Sequence, residues 1–145
     1  MAPLINTMPL LGPLVGLSTW TFAIEGLLYA RRTPALSKYG VTFDPATAKK
    51  QKAEKLPPFV QWPADNYNNL LEQPTQFYAV MLALTLLGVK DKTTVRLAWA
   101  YVGLRVLHST IHVTVNHLVS RFSAFATSSF VLFGLTAKAA WELFM

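Results

Sequence analysis

Residues 101–116 read YVGLRVLHSTIHVTVN, and this stretch decides the fold because polar residues recur regularly within an apolar background. The recurring residues are Arg105, His108, His112 and Asn116, at spacings of 3, 4 and 4, and we call these four the polar seam. On a helix they fall within an arc of roughly 80°, and Tyr101 lies inside the same arc. The pattern predicts a helix that is apolar except along one polar face.

The composition indicates where such a helix is located. Charged residues are 14% of the 145 and hydrophobic residues are 52%, against about 25% charged residues in typical soluble proteins. A soluble domain of this size could not bury that much apolar surface, because its surface-to-volume ratio is too high. We therefore predict an integral membrane protein. The chain has no cysteine, which excludes thiolate metal sites, disulfides and a cysteine nucleophile.

Hydropathy along the chain predicts an all-α fold, a single domain over residues 1–145 built as a four-helix transmembrane bundle. The spans are predicted at about residues 9–30, 67–88, 94–118 and 122–144, with a long polar loop at about 31–66. One straight helix over residues 97–137 would measure about 60 Å, roughly twice the hydrocarbon thickness. The chain must therefore reverse within Asn116–Ser123.

The long loop has two notable features. Pro57, Pro58 and Pro63 predict that no continuous helix forms near its end. Seven of the thirteen basic residues lie between Arg31 and Lys55, as expected of a cytoplasmic loop, which places both termini outside. Anionic lipid head groups are a better match for this charge than nucleic acid.

Polar stripes also occur on two other spans. The second span begins with Asn69, Glu72, Gln73 and Gln76, and the first carries Ser18, Thr21, Glu25 and Tyr29. A buried Glu72 needs a positive partner, and Arg105 is the nearest candidate. The two differ in depth, however: Glu72 lies about 9 Å from the cytoplasmic end of its span and Arg105 about 18–24 Å from the end of its own. Their pairing requires that the second span begin later than predicted or that the third span project into the cytosol.

Three readings of these polar groups remain open. In the first reading, the Glu72–Arg105 pair only locks helices together, as buried ion pairs often do. His108 and His112 have the spacing of metal ligands, but the acid of an HExxH motif is missing, so we do not predict a metal. The third reading is a polar pocket for a ligand, which gathering so many ionisable groups onto facing helices favours.

Three short motifs resemble the MAPEG family, the membrane-associated proteins of eicosanoid and glutathione metabolism. The first span ends Ala30-Arg31-Arg32, the second opens with Asn69 and Glu72 followed by an aromatic at Phe77, and the third has Arg105-Val-Leu-His108 with Arg121 beyond. Together with chain length, four spans and one basic loop, the resemblance covers nearly the whole chain. It is strongest to small bacterial members, which implies a bacterial inner membrane.

The resemblance implies a homotrimer that binds glutathione as co-substrate between neighbouring subunits, near the cytoplasmic side. It implies a transferase or peroxidase acting on lipophilic electrophiles. The residues it assigns to glutathione are Asn69, Glu72, Arg105, His108 and His112, joined by Arg31 or Arg32. Arg121 is the catalytic candidate, because an arginine near the glutathione sulfur favours the thiolate.

Four positions depart from the family pattern. Asp65 stands where active members commonly have an arginine, Trp62 offers no base on the same face, His112 replaces a tyrosine, and Phe122 replaces a serine. Losing carboxylate-binding arginines weakens glutathione binding. The alternatives are therefore a MAPEG fold with an altered or lost glutathione site that binds another small or lipidic ligand, or a structural membrane component.

Overall fold

The computed structural model describes residues 7–42 and 44–145, and the secondary structure of these residues is entirely helical. The helices are α1 (Leu11–Lys38), α2 (Pro45–Lys55), α3 (Pro58–Glu72), α4 (Pro74–Leu86), α5 (Lys92–Thr114) and α6 (Leu118–Phe144). An all-α fold is what the sequence predicts. Within the described residues six helices are present where four were expected, because the long loop contains helix and the second span is divided.

The predicted loop at 31–66 is largely helical, which corrects the sequence-based expectation. α1 continues past Ala30 to Lys38, α2 occupies the middle, and α3 begins at Pro58. Proline at the first position of a helix costs no hydrogen bond, because that position has no intrahelical acceptor for its N–H. Pro58 therefore starts a helix instead of preventing one.

Pro63 lies inside α3, where proline removes the N–H that would bind the carbonyl four residues earlier. That carbonyl belongs to Phe59, and it accepts a hydrogen bond of 3.1 Å from Nη1 of Arg31 instead. The same Nη1 donates to the carbonyl of Val113 at 3.0 Å, in the last turn of α5. Arg31 thus satisfies two carbonyls that their own helices leave unpaired, which explains how a proline is accommodated here.

α2 begins with a side-chain cap. Asp44 accepts hydrogen bonds from the hydroxyl of Thr47 and the backbone N–H of Ala46, and these two contacts lower the pKa of its carboxyl group. Pro45 follows at the first helical position. This arrangement is a strong helix-start signal that the sequence contains.

α3 and α4 are interrupted at Gln73, directly before Pro74. Gln73 keeps helical dihedral angles, with φ −59° and ψ −39°, so the interruption is a missing hydrogen bond and not a sharp turn. Gly88 follows the end of α4 with a φ of +75°, a conformation that glycine adopts readily.

α5 and α6 form a helical hairpin. Asp91 caps α5 by accepting from the N–H and hydroxyl of Thr94, which lowers the pKa of the Asp91 carboxyl. The chain reverses at residues 115–117, where Asn116 has a φ of +49°, a value that asparagine tolerates better than most residues. This turn overlaps the first two residues of the stretch Asn116–Ser123, in which the sequence predicts a reversal.

The core lies where α1, α3, α4, α5 and α6 meet. The ring of Phe77 stacks on that of Tyr101 with centroids 4.4 Å apart, and Leu17, Leu84 and Leu135 are buried around them. Many large apolar side chains point outward instead; the most exposed include Phe22, Leu86, Phe130, Phe133 and Phe144. In the part of the chain that the structure describes, two helices, α1 and α6, are long and apolar enough to cross a membrane.

Candidate functional site

The polar seam of α5 faces α3 and α6 in the interior of the bundle. Arg105, His108 and His112 are all buried, and Arg105 is the largest fully buried side chain. Asn116 lies beyond the end of α5, in the turn to α6. The helical spacing therefore predicted correctly which face of α5 is directed inward.

Arg105 is bound by Asn69 of α3. Its Nη2 donates to the side-chain Oδ1 of Asn69 at 2.7 Å and to the backbone carbonyl of the same residue at 3.0 Å. The guanidinium carbon lies 5.4 Å from the ring centroid of Phe125 on α6, within cation–π range. Nη1 and Nε of Arg105 are buried and find no acceptor in residues 7–42 and 44–145.

The predicted ion pair between Glu72 and Arg105 is not formed. Glu72 is exposed on the single chain, and the only ion pairs in the described part of the chain are Lys50–Glu54 and Lys138–Glu142. The reason is geometric: Asn69 lies one turn earlier on α3, faces α5 and takes the position beside Arg105.

The earlier start of α3 removes the predicted difference in depth. Asn69 lies eleven residues from Pro58 and Arg105 lies nine residues from Thr114. At 1.5 Å per residue these distances are about 16 and 14 Å. The two side chains therefore meet at one level although neither helix projects beyond the other.

The two histidines have opposite hydrogen-bonding roles. Nδ1 of His108 donates to the backbone carbonyl of Arg121 at 2.9 Å, since a carbonyl oxygen can only accept. Nδ1 of His112 is 3.3 Å from the amide nitrogen of Asn66, which can only donate, so this Nδ1 accepts. His108 Nε2 and Asn66 Oδ1 are buried without a partner in the part of the chain that is described.

Arg121 lies at the start of α6, where its Nη1 donates to Oδ1 of Asn116 at 2.6 Å. Its side chain is half-buried. Together with the bond from His108 to its carbonyl, Arg121 links the turn to the polar seam. No group of three histidine, cysteine, aspartate or glutamate residues that could hold a metal ion occurs among the residues described.

A second series of hydrogen-bonded polar side chains lies one helical turn before Arg105 on α5, and it was not fully predicted. The hydroxyl of Tyr101 donates to Oε1 of Gln73 at 3.4 Å, and Nε2 of Gln73 donates to the hydroxyl of Ser129 at 2.6 Å. Gln73 and Tyr101 belong to the predicted stripes, but Ser129 gave no periodic signal. Asn66 was also missed: it precedes Asn69 by three residues, but that region was assigned to the loop.

The stripe predicted on the first span does not join the seam. Thr21 donates to the carbonyl of Leu17, and the hydroxyl of Tyr29 donates to Glu25 at 3.3 Å, so these side chains are bonded within α1. Arg31 connects α1 to α3 and α5 through backbone carbonyls, and Nη2 of Arg32 donates to Oε1 of Gln61 at 2.8 Å. Neither arginine contacts Arg105.

The comparison with protein families decides the identity. The model of the MAPEG family matches residues 10–141 of the 145. The chain belongs to the MAPEG family. Searches of curated proteins and of solved structures gave no match. Family membership, together with the apolar helices α1 and α6, identifies a membrane-associated protein of the type found in glutathione and eicosanoid metabolism.

Three of the four positions at which this MAPEG chain departs from the family pattern lie outside the polar seam. Asp65 is exposed, and its carboxylate lines a cleft with Arg32 instead of the seam. Trp62 is half-buried, and Phe122 is exposed at 65%. His112 is the one departure inside the seam.

Proposed function

We propose that this MAPEG protein binds glutathione and joins it to, or uses it to reduce, a lipophilic electrophile in the membrane. The proposal includes four membrane spans and a homotrimer in which neighbouring copies complete the site. One observation carries it: Arg105 is a fully buried cation whose only hydrogen-bond partner in the described residues is the neutral Asn69.

A buried cation without an anion is costly. The effective penalty of burying an ion is several kcal/mol, and it is recovered only by good geometry and by hydrogen bonds to the remaining donors. Arg105 has two such donor groups unused, at Nη1 and Nε. A planar guanidinium with parallel N–H groups matches a carboxylate, and glutathione has two. An anionic guest therefore explains why the charge is retained.

The proposed roles follow from chemistry and position. Arg105 and Asn69 bind a carboxylate of glutathione, and Glu72 accepts from its ammonium group. His108 and His112 border the site and supply hydrogen bonds. Since Nη1 and Nε of Arg105 are buried in the single chain, ligand entry requires movement of the side chains around Asn69.

Arg121 is the proposed catalytic residue, because its charge favours the thiolate of glutathione. In transfer, the thiol releases its proton to solvent, sulfur bonds to the electrophilic carbon, and the bond to the leaving group breaks with its electron pair. In peroxide reduction, sulfur attacks the outer peroxide oxygen and an alcohol departs. A second glutathione then gives glutathione disulfide and water.

The exposed surface supports assembly with further copies. Glu72 and Gln76 are exposed on the same side of α3 and α4, next to the apolar residues Leu82 and Leu86. Polar side chains facing lipid are costly in a membrane. A neighbouring subunit at this face would cover them and bring Glu72 into the proposed site.

Calorimetry of the purified protein with glutathione tests the proposal. We expect binding at or below millimolar concentration, and we expect Arg105→Gln to weaken it about tenfold or more, since a charged hydrogen bond contributes about 1.5–3 kcal/mol. Arg96→Gln, an exposed arginine on the same helix, is the matched control and should bind normally. Absence of binding to the wild type at millimolar glutathione would refute the proposal.

A second candidate function is supported by Asp65. An acid at a position where active family members commonly have an arginine favours a MAPEG fold whose site has turned to another small or lipidic ligand. Native mass spectrometry distinguishes the two: a retained lipid in place of glutathione supports this candidate. Recovery of glutathione binding in Asp65→Arg would identify an altered glutathione site.

A further inference from the structure

A cleft of about 660 Å³ lies outside the seam, between the end of α1, the helix α2 and the start of α3. Its charged lining consists of Arg32, Lys49, Lys52 and Asp65, and its neutral polar lining of Gln61 and Asn68. We call it the basic cleft. Its lining carries three cationic side chains and one acidic side chain, so the cleft has a net positive charge.

The walls of the basic cleft are held together by hydrogen bonds. Nη2 of Arg32 donates to Oε1 of Gln61, and the amide nitrogen of Gln61 donates to the backbone carbonyl of Lys52. These two bonds connect α1, α3 and α2 in sequence. Nε of Arg32 is buried and has no acceptor within the described ranges. The guanidinium of Arg32 is thus held in place at the wall of the cleft by Gln61.

The lysines of α2 divide into two groups. Outside the cleft, Lys50 pairs with Glu54 at 3.8 Å and Lys55 donates to the carbonyl of Gly40 at 2.9 Å. Lys49 and Lys52, which line the cleft, have no ammonium contact with any residue described. They are three residues apart and so share one face of the helix. The unpaired cations are therefore those that face the cavity.

We propose that the basic cleft binds the phosphate of a glycerol phosphate group, with Arg32, Lys49 and Lys52 contacting the phosphate and Asp65 accepting from a glycerol hydroxyl. Lysines provide mobile point charges for phosphate, and Arg32 provides fixed N–H groups. The cleft is lined by Arg32, which follows the end of the first predicted span at residue 30. The inference does not depend on glutathione binding at Arg105, and it assigns Arg32 to the basic cleft.

The charge requirement is tested with short-chain phosphatidylglycerol added to detergent-purified protein, with binding followed by native mass spectrometry. We expect Lys49→Gln/Lys52→Gln to lower the affinity about tenfold. The matched control is Lys38→Gln/Lys50→Gln, which removes two exposed positive charges from the same region and should change affinity less than about threefold. Equal losses in both variants would show nonspecific surface attraction and overturn the proposal.

The cavity requirement is tested without changing charge. Ala48 is half-buried in the lining of the cleft, and Ala46 is exposed on the same helix outside it. We expect Ala48→Trp to fill the cleft and reduce lipid binding as strongly as the lysine variant, whereas Ala46→Trp should not. Circular dichroism melts verify that both variants fold. Unchanged binding in a folded Ala48→Trp would overturn the assignment to this cavity.

Two probes distinguish the source of the phosphate. Water-soluble glycerol phosphate and short-chain phosphatidylglycerol are titrated separately, with short-chain phosphatidylcholine as the zwitterionic control. Equal affinity for the first two identifies a site for a free phosphate compound, and binding of the lipid alone identifies a membrane head group. Binding of neither probe, or equal binding of phosphatidylcholine, contradicts the proposal.

Discussion

The polar seam inside the bundle and the basic cleft at its edge each contain an arginine whose hydrogen-bond partners are neutral. Arg105 is fully buried, whereas Arg32 is half-buried beside an open cleft. In the interior a cation without an anion keeps most of its desolvation cost, while at the edge water and counterions reduce it. Under the two proposals, an arginine in the interior therefore requires a ligand, whereas an arginine at the edge only attracts one.

The largest expected effect concerns Arg31, which lies between the two regions and holds them together. Arg31→Ala leaves the carbonyls of Phe59 and Val113 without their side-chain donor. Charged hydrogen bonds contribute about 1.5–3 kcal/mol each, so we expect the free energy of unfolding to fall by about 3 kcal/mol. Thermal unfolding in detergent measures this. Lys38→Ala, an exposed cation in the last turn of α1, is the control and should unfold near the wild-type temperature.

The next prediction separates a ligand site from a structural lock at Arg105. Arg105→Met keeps much of the side-chain volume and removes the desolvation cost of a buried charge, which offsets the loss of the donor to Oδ1 of Asn69. We expect the melting temperature to stay the same or rise, while glutathione affinity falls about tenfold or more. A large loss of stability would instead indicate that Arg105 only locks the helices.

The inward face of α5 could be predicted from sequence because a helix repeats every 3.6 residues. The spacing of Arg105, His108 and His112 was sufficient to place all three in the interior. Their partners could not be predicted, since partners depend on how two helices are aligned along their axes. The alignment depends on the residue at which α3 starts. The sequence alone places that start too late, because Pro58 and Pro63 are typical helix breakers.

Tertiary contacts explain why this reading of the prolines was wrong. The cost of Pro63 within a helix depends on whether the freed carbonyl of Phe59 finds another donor, and Arg31, twenty-eight residues earlier, is that donor. A local rule cannot include such a contact. Asn66 and Ser129 were missed for related reasons: the first lay in a supposed loop, and the second is a single serine on an otherwise apolar helix.

Asp91 provides a smaller effect at the opposite, water-exposed end of the seam helix. Asp91→Ala removes the cap on the N–H of Thr94 and should lower the free energy of unfolding by about 1 kcal/mol. The pKa of Asp91 is lowered from its ordinary 3.8 in the folded state, so its stabilisation is present above pH 3.8 and is lost as the pH falls further. The difference in melting temperature between wild type and Asp91→Ala should therefore disappear in strong acid.

Asp65 gives the smallest expected effect and tests the basic cleft alone. Asp65→Asn keeps the size of the side chain and its hydrogen-bonding oxygen but removes the one negative charge among the cleft's three cations. Since exposed charges interact weakly in water, we expect anionic lipid to bind only about two- to threefold more tightly. The gain should shrink as salt is added, because screening weakens interactions between exposed charges. Glutathione affinity should remain unchanged, since Asp65 does not contact the seam. A parallel rise in glutathione affinity would mean that the cleft and the seam form one site. The distinction between the two regions would then be wrong.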